Sequence, residues 1–163
     1  MISPAIFRAY DIRGHADTEL NRTTVDGLGR AIGTLALRGG QTTLVVGRDG
    51  RLSSPRIYQQ LIDALKATGC DVIGIGLVAT PMLYFATHYC GTQAGVMVTG
   101  SHNPSDMNGM KVVLDGKALS EPSIQALRVM IDEDHLAIGA GQLKTCDISE
   151  DYIAAVQASV PSL

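Results

Sequence analysis

The sequence predicts an α/β fold: a three-layer α/β/α domain with a mixed, mostly parallel sheet. Short β-branched runs alternate with stretches of helical periodicity, the pattern of βαβ units and of a sheet covered on both faces. The 163-residue chain is 45% hydrophobic and 18% charged, the composition of a globular domain that can bury a core without disulfides or metal. Residues 72–101 contain no Asp, Glu, Lys or Arg, as expected for a strand, helix and strand inside such a sandwich. Glycines and Pro81 interrupt that stretch too often for a membrane span.

The elements follow in order. A helix is predicted over 24–37, where Val25, Leu28, Ile32 and Leu35 fall at helical spacing. Thr23 is its expected cap, with Asp26 three residues on, and Gly39-Gly40 its stop. Residues 42–46 form a short β-branched strand that runs into the loop 47–55. The next helix starts at Ser54-Pro55, a cap followed by a first-turn proline, and places Ile57, Leu61, Ile62 and Leu65 on one face before Gly69. The pattern then repeats: a strand over 71–75, a helix from Thr80-Pro81 to about Tyr89, and a strand over 94–98. The strand predicted over 110–114 follows without room for a helix, so it is expected to be antiparallel, with Asp115-Gly116 as a hairpin-type turn. A helix over 122–132 and a tail helix over 149–159 complete the reading. The tail's apolar residues call for a partner surface.

Charge is unevenly spread. Eight of the nine arginines lie within residues 1–56, in a chain whose formal net charge is −3. This suggests a local anion site, against the simpler reading of a solvated surface. The mild acidity gives no general attraction to nucleic acid or anionic membrane, so neither is an expected partner. Cys70, Cys90 and Cys146 are odd in number and form no CxxC pair; they read as reduced thiols and point to the cytoplasm. The amino terminus lacks the basic and apolar regions of a signal peptide.

In doubly wound sheets, ligands sit beyond the carboxyl ends of the strands. That rule selects the loops 47–55 and 99–109. The second contains Thr99-Gly100-Ser101-His102-Asn103-Pro104, with Asn108-Gly109-Met110-Lys111 close behind. Gly100 lets another molecule approach, Asn103-Pro104 stiffens the turn, and Lys111 returns on the next strand. Hydroxyl, imidazole and ammonium together could handle a phosphoryl group; a polar turn with an incidental serine is the alternative. The G-S-H-N sequence lacks the second glycine of a hydrolase elbow, and His135, among acids, reads as an exposed surface histidine. The first loop sets Arg48 and Arg51 ahead of a helix amino terminus, which favours anions; alternatively Asp49 pairs with a neighbouring arginine. Gly74-Ile75-Gly76-Leu77-Val78-Ala79 matches a dinucleotide-binding pattern, although the next acid downstream is Asp106. No His/Cys/Asp cluster has metal-ligand spacing. Phe7-Arg8-Ala9-Tyr10-Asp11-Ile12-Arg13-Gly14 interleaves aromatics and arginines: a strand and turn, or a clamp for phosphate or sugar.

Three of these segments, 7–14, 47–51 and 99–111, resemble the α-D-phosphohexomutases in kind, order and spacing. The resemblance runs through essentially the whole chain. It implies interconversion of hexose 1-phosphate and hexose 6-phosphate, of mannose or glucose, through a 1,6-bisphosphate. It implies that Ser101 carries a phosphoryl group that also ligates Mg²⁺. Tyr10 and Arg13 match residues near the substrate and the phosphoserine, Lys111 a lysine implicated in proton transfers, and His102 the histidine beside the serine. The family has four domains, and this chain resembles the first. Residues 1–148 are then the serine-bearing domain, and 149–163 a helix leading toward a second. The aspartate loop that completes the Mg²⁺ site and the sugar-recognition loop are not found, so the chain alone is expected to be inactive and the other ligands and domains to lie elsewhere. A binding or regulatory module with the same fold is the alternative, and a nicotinamide-dinucleotide domain a further one.

Overall fold

The computed structural model describes residues 2–160; the last residues of the expected tail segment, 161–163, lie outside this range. A 3-10 turn at Pro4–Ile6 precedes β1 (Ile12–His15) and α1 (Arg22–Arg38). Then come β2 (Thr43–Arg48), α2 (Ser54–Lys66), β3 (Asp71–Leu77), α3 (Thr80–Tyr89) and β4 (Gly95–Val98). After these follow β5 (Met107–Leu114), β6 (Lys117–Ala118), α4 (Glu121–Asp132), β7 (Leu143–Thr145) and α5 (Ser149–Ser159).

The strands lie in the order β1-β5-β4-β2-β3-β7, with β6 on β5. β2 pairs in parallel with β3 and β4, and β3 with β7. β5 is antiparallel to β4, as its short connection requires, and β1 adds antiparallel to β5. Side chains alternate across each strand. Leu44, Val46, Val96, Val98, Met110 and Val112 enter the larger core under α1, α2 and α4. Val45, Ile75 and Met97 enter a smaller one under α3, which Ile148 closes. The two faces make three layers, as the alternation of elements predicts.

The local corrections have physical causes. Asn21, not Thr23, caps α1: its Oδ1 accepts the Thr24 N–H at 3.1 Å, so the helix begins two residues earlier than predicted. Ser53 takes the cap position of α2, while Ser54 is fully buried and turns its hydroxyl to Asp49. β7 was not predicted, because Leu143, Lys144 and Thr145 are all exposed and carry no periodic apolar signal. Gly74 and Gly76 lie within β3 rather than in a turn. A Cβ on Gly74 would come 2.6 Å from the Tyr58 hydroxyl, and that hydroxyl accepts the Gly76 N–H at 3.3 Å. The dinucleotide-like pattern therefore makes room for a tyrosine. The expected hairpin turn is present, with Asp115 and Gly116 both left-handed at φ 52° and 68°.

The tail helix α5 buries none of its residues. Tyr152 meets Phe85 of α3 edge-on at 5.4 Å between ring centres, while Ile153 and Val156 are exposed. No helix among the described residues is long and apolar enough to cross a membrane.

α1 packs on α2 through glycine. A Cβ on Gly29 would lie 2.5 Å from the Ala64 Cβ. On helix propensity alone Gly29→Ala would stabilise α1 by up to about 1 kcal/mol; forcing a methyl into a filled interface costs about 1–3 kcal/mol. The clash wins, so Gly29→Ala lowers the melting temperature, which thermal unfolding followed by circular dichroism will show.

Candidate active site at the carboxyl ends of the strands

β2 and β4 are parallel neighbours, so the loops that follow them, 47–55 and 99–109, leave the sheet side by side. Ser101 stands in the second, exposed to solvent. Its backbone is left-handed, φ 51°, a conformation that costs a non-glycine residue roughly 1–2 kcal/mol. Strain of this kind collects where surrounding structure over-determines it, and here the restraints are visible. The Ser101 N–H donates to Thr99 Oγ1 at 2.9 Å. The Asn103 N–H and its side-chain amide both reach the Gly100 carbonyl, at 3.0 and 2.7 Å. Ser101 Oγ lies 3.2 Å from His102 Nδ1.

The first loop grips the second. Arg51 donates from Nη1 to the carbonyls of Pro104 and Met107, the latter at 2.9 Å, and from Nη2 to those of Ser101 and Asn103, at 3.0 and 2.6 Å. Asp49 Oδ2 accepts the Gly100 N–H at 3.1 Å and lies 3.5 Å from Arg51 Nε. Asp49 Oδ1 accepts the Ser54 hydroxyl and the Arg51 N–H. Below them, fully buried Asn108 donates to Ser53 Oγ and Ser54 Oγ at 2.8 and 2.9 Å, which leaves its amide satisfied. The alternative reading of this loop holds: Asp49 pairs with Arg51, and its carboxylate occupies the α2 amino terminus. Arg51 faces backbone carbonyls, and Arg48 donates to the Asp49 carbonyl at 3.2 Å.

Cations approach from the antiparallel side. On β1 and β5, Ile12, Met110 and Val112 point into the larger core, so strand alternation turns Arg13 and Lys111 to the opposite face. Asp11 Oδ2 joins them, accepting from Arg13 Nη2 at 2.8 Å and from Lys111 Nζ at 3.5 Å. Arg13 Nη1 continues to Asn103 Oδ1 at 3.2 Å, which ties the group to the serine loop. Thus Ser101 and His102 are in contact, and Arg13 and Lys111, joined through Asp11, are linked to their loop at Asn103. Tyr10 is 77% exposed and stands outside this hydrogen-bond network. His135 is a surface residue, 3.1 Å from Glu133. Sequence reading missed Asp11, Asn103 and Asn108 as parts of the site; each is a polar residue in or beside a quoted motif, and only the burial of Asp11 and Asn108 marks them out.

The Mg²⁺ implied by the resemblance finds one candidate ligand here, an oxygen carried on Ser101. Among the described residues no three His, Cys, Asp or Glu side chains gather as a metal site would require. These residues by themselves do not fit the ion.

The fold and loop define a class: an α/β/α domain that presents a serine hydroxyl on strained backbone at the carboxyl edge of its sheet, with an arginine and a lysine held nearby. The chain belongs to the family of phosphoglucomutase/phosphomannomutase α/β/α domain I, whose model matches residues 4–137. It is 45% identical over 156 residues to a phosphomannomutase/phosphoglucomutase of Pseudomonas aeruginosa, covering 96% of this chain and 34% of that protein. It is 42% identical over 155 residues to a phosphoglucomutase of Neisseria meningitidis, covering 93% and 34%. An X-ray structure of a phosphoglucomutase/phosphomannomutase family protein from Burkholderia thailandensis superposes with a TM-score of 0.93 at 38% identity, covering 98% of this chain and 37% of that one. The chain spans about a third of the length of these curated relatives.

The Asp49 carboxyl supplies a pH test. Burial acts to raise its pKa, but hydrogen bonds from Ser54, the Arg51 N–H, Thr99 and the Gly100 N–H outweigh burial and hold it below the ordinary carboxylate value. A depressed folded pKa contributes stability that is complete above the unfolded value of about 3.9 and is lost as pH falls through the lower folded value. The Gly100 amide resonance is expected to titrate with a midpoint below that of a free aspartate. A midpoint at or above that of a free aspartate would contradict the link.

Proposed function

We propose that this chain is the serine-bearing domain of a hexose-phosphate mutase, which interconverts hexose 1-phosphate and hexose 6-phosphate through a 1,6-bisphosphate, with Ser101 as phosphoryl carrier. The observation that carries the reading is the exposed Ser101 hydroxyl on a left-handed, multiply bonded backbone. Phosphoryl transfer asks mainly for positioning and neutralised charge. The phosphoryl group on Ser101 Oγ first passes to the free hydroxyl of the hexose monophosphate: the bond from phosphorus to that sugar oxygen forms as the bond from phosphorus to Oγ breaks, which gives the 1,6-bisphosphate. Ser101 Oγ then forms a bond to the other phosphorus as the bond from that phosphorus to its sugar oxygen breaks. The hydroxyl proton leaves toward His102 Nδ1, 3.2 Å away, and the departing sugar oxygen takes up a proton. In the first transfer the protons move in the opposite sense: the sugar hydroxyl loses its proton and Ser101 Oγ takes one up. Arg13 and Lys111 share one carboxylate, Asp11, so the three groups together retain positive charge toward a phosphate. Tyr10, exposed beside them in sequence, is the candidate to touch the sugar.

On this reading residues 1–148 form the serine-bearing domain, and the helix from 149 leads into further domains that supply sugar recognition. A magnesium ion bound to the phosphoserine would stabilise charge on the transferring group, with its other ligands drawn from those domains. Such an enzyme works in the cytoplasm, where sugar phosphates are held.

Two measurements test the reading. In the full-length enzyme that carries this domain, Ser101→Ala is expected to lower glucose 1-phosphate turnover by roughly 10³-fold or more; wild-type turnover in that variant removes Ser101 as carrier. The 163-residue chain, given glucose 1-phosphate with a trace of the 1,6-bisphosphate and coupled to oxidation of glucose 6-phosphate, is expected to show no turnover. Robust turnover there would show that the further domains are dispensable.

A further inference from the structure

The arginines of the 47–55 loop have no part in the proposed phosphoryl transfer, yet Arg51 is only 17% exposed at its side chain and both terminal nitrogens of its guanidinium are bonded. Its nitrogens reach four carbonyls of one loop, those of Ser101, Asn103, Pro104 and Met107, and lie beside the Asp49 carboxylate. A guanidinium offers five donors in a rigid plane, and this site uses the four of its two terminal nitrogens. A lysine has a single compact head on a flexible stem and could not hold carbonyls spread over that stretch of chain.

Gly100 records how close the approach is. A Cβ there would fall 2.1 Å from Arg51 Nε and 2.2 Å from its Cζ. Its φ lies outside the left-handed region reserved to glycine, so the glycine is there for space and not for backbone freedom. Asp49 completes the grip by accepting the Gly100 N–H at 3.1 Å. The peptide on one side of Ser101 is thus held through its N–H partner Thr99, and the peptide on the other side through its carbonyl. Because a trans peptide points its C=O and N–H in opposite directions, the Ser101 carbonyl on Arg51 leaves the His102 N–H facing away from the clamp.

We infer that Arg51, anchored by Asp49, is a positioning residue for phosphoryl transfer: it fixes the backbone of the 99–107 loop and so the placing of the Ser101 hydroxyl. The inference rests on the reading of Ser101 as phosphoryl carrier. Arg51 bonds backbone carbonyls and not Ser101 Oγ, so its removal is expected to act on kcat and to leave substrate affinity in place.

The test uses Arg51→Ala and Arg51→Lys in two settings. In the 163-residue chain, both variants are expected to keep the far-ultraviolet dichroism of the parent, while the amides of Gly100, Ser101 and Asn103 exchange hydrogen at least about tenfold faster. In the full-length enzyme, kcat is expected to fall roughly 10²-fold, the scale of a small misplacement of a reacting group, with KM for hexose 1-phosphate within about threefold of wild type. Millimolar guanidinium is expected to restore part of kcat to Arg51→Ala and none to Arg51→Lys, whose side chain fills the space. Gly100→Ala, which pushes the guanidinium off the loop, should cost activity in the parent and add little in an Arg51→Ala background. It also serves as the probe should Arg51→Ala fail to fold.

Unchanged loop exchange would overturn the clamp. Faster exchange with unchanged kcat, or a loss confined to KM, would overturn the positioning role. Activity retained in Ser101→Ala would instead overturn the carrier reading, and the loop-exchange result would stand apart from it.

Discussion

The arrangement of the site depends on the ion pair between Asp49 and Arg51 and on where its remaining hydrogen bonds go. Asp49 faces two ways: one oxygen takes the Ser54 hydroxyl at the start of α2, and the other takes the Gly100 N–H in the neighbouring loop. Arg51 carries the connection through to Met107, at the start of β5. A surface ion pair would contribute little. This one is partly buried, and it connects loops about 50 residues apart that would otherwise be free to separate. It can do so only because β2 and β4 are adjacent and parallel, which delivers both loops to one edge of the sheet.

A second constraint comes from the antiparallel side. Gly109 pairs with Arg13, and a Cβ on Gly109 would lie 2.3 Å from the Ile12 carbonyl. The close approach of β1 to β5 sets the height of Arg13, and strand alternation puts Lys111 on the same face. Asp11 then holds both cations, and Asn103 receives Arg13. The serine loop is in this way bonded from β2 on one side and from β1 on the other. The strained residue between them stays exposed, an arrangement suited to a group that must meet a substrate without shifting.

The places where sequence reading fell short share a cause. Thr23 and Asn21 are both acceptable caps by residue type, and the path of the chain out of β1 selects Asn21. Gly74 and Gly76 match a phosphate-binding spacing, but the Tyr58 hydroxyl, from a different element, occupies the space beside them. Arg51 looked available to an outside anion because its acceptors are backbone carbonyls, which leave no trace in residue identity. β7 is an exposed edge strand whose only signal is its pairing with β3.

Local pattern alone determined the helices, the parallel strands β2, β3 and β4, the antiparallel return of β5 and the position of Ser101 just past a strand end. Those features arise from hydrophobic periodicity and turn chemistry, which act over a few neighbouring residues. The tertiary structure decided what each polar group bonds to: Asp49 with Gly100, Arg51 with four carbonyls, Asp11 with Lys111 across 100 residues of chain. Such partners are chosen by which loops the sheet order brings together, and sheet order is a property of the whole chain's packing.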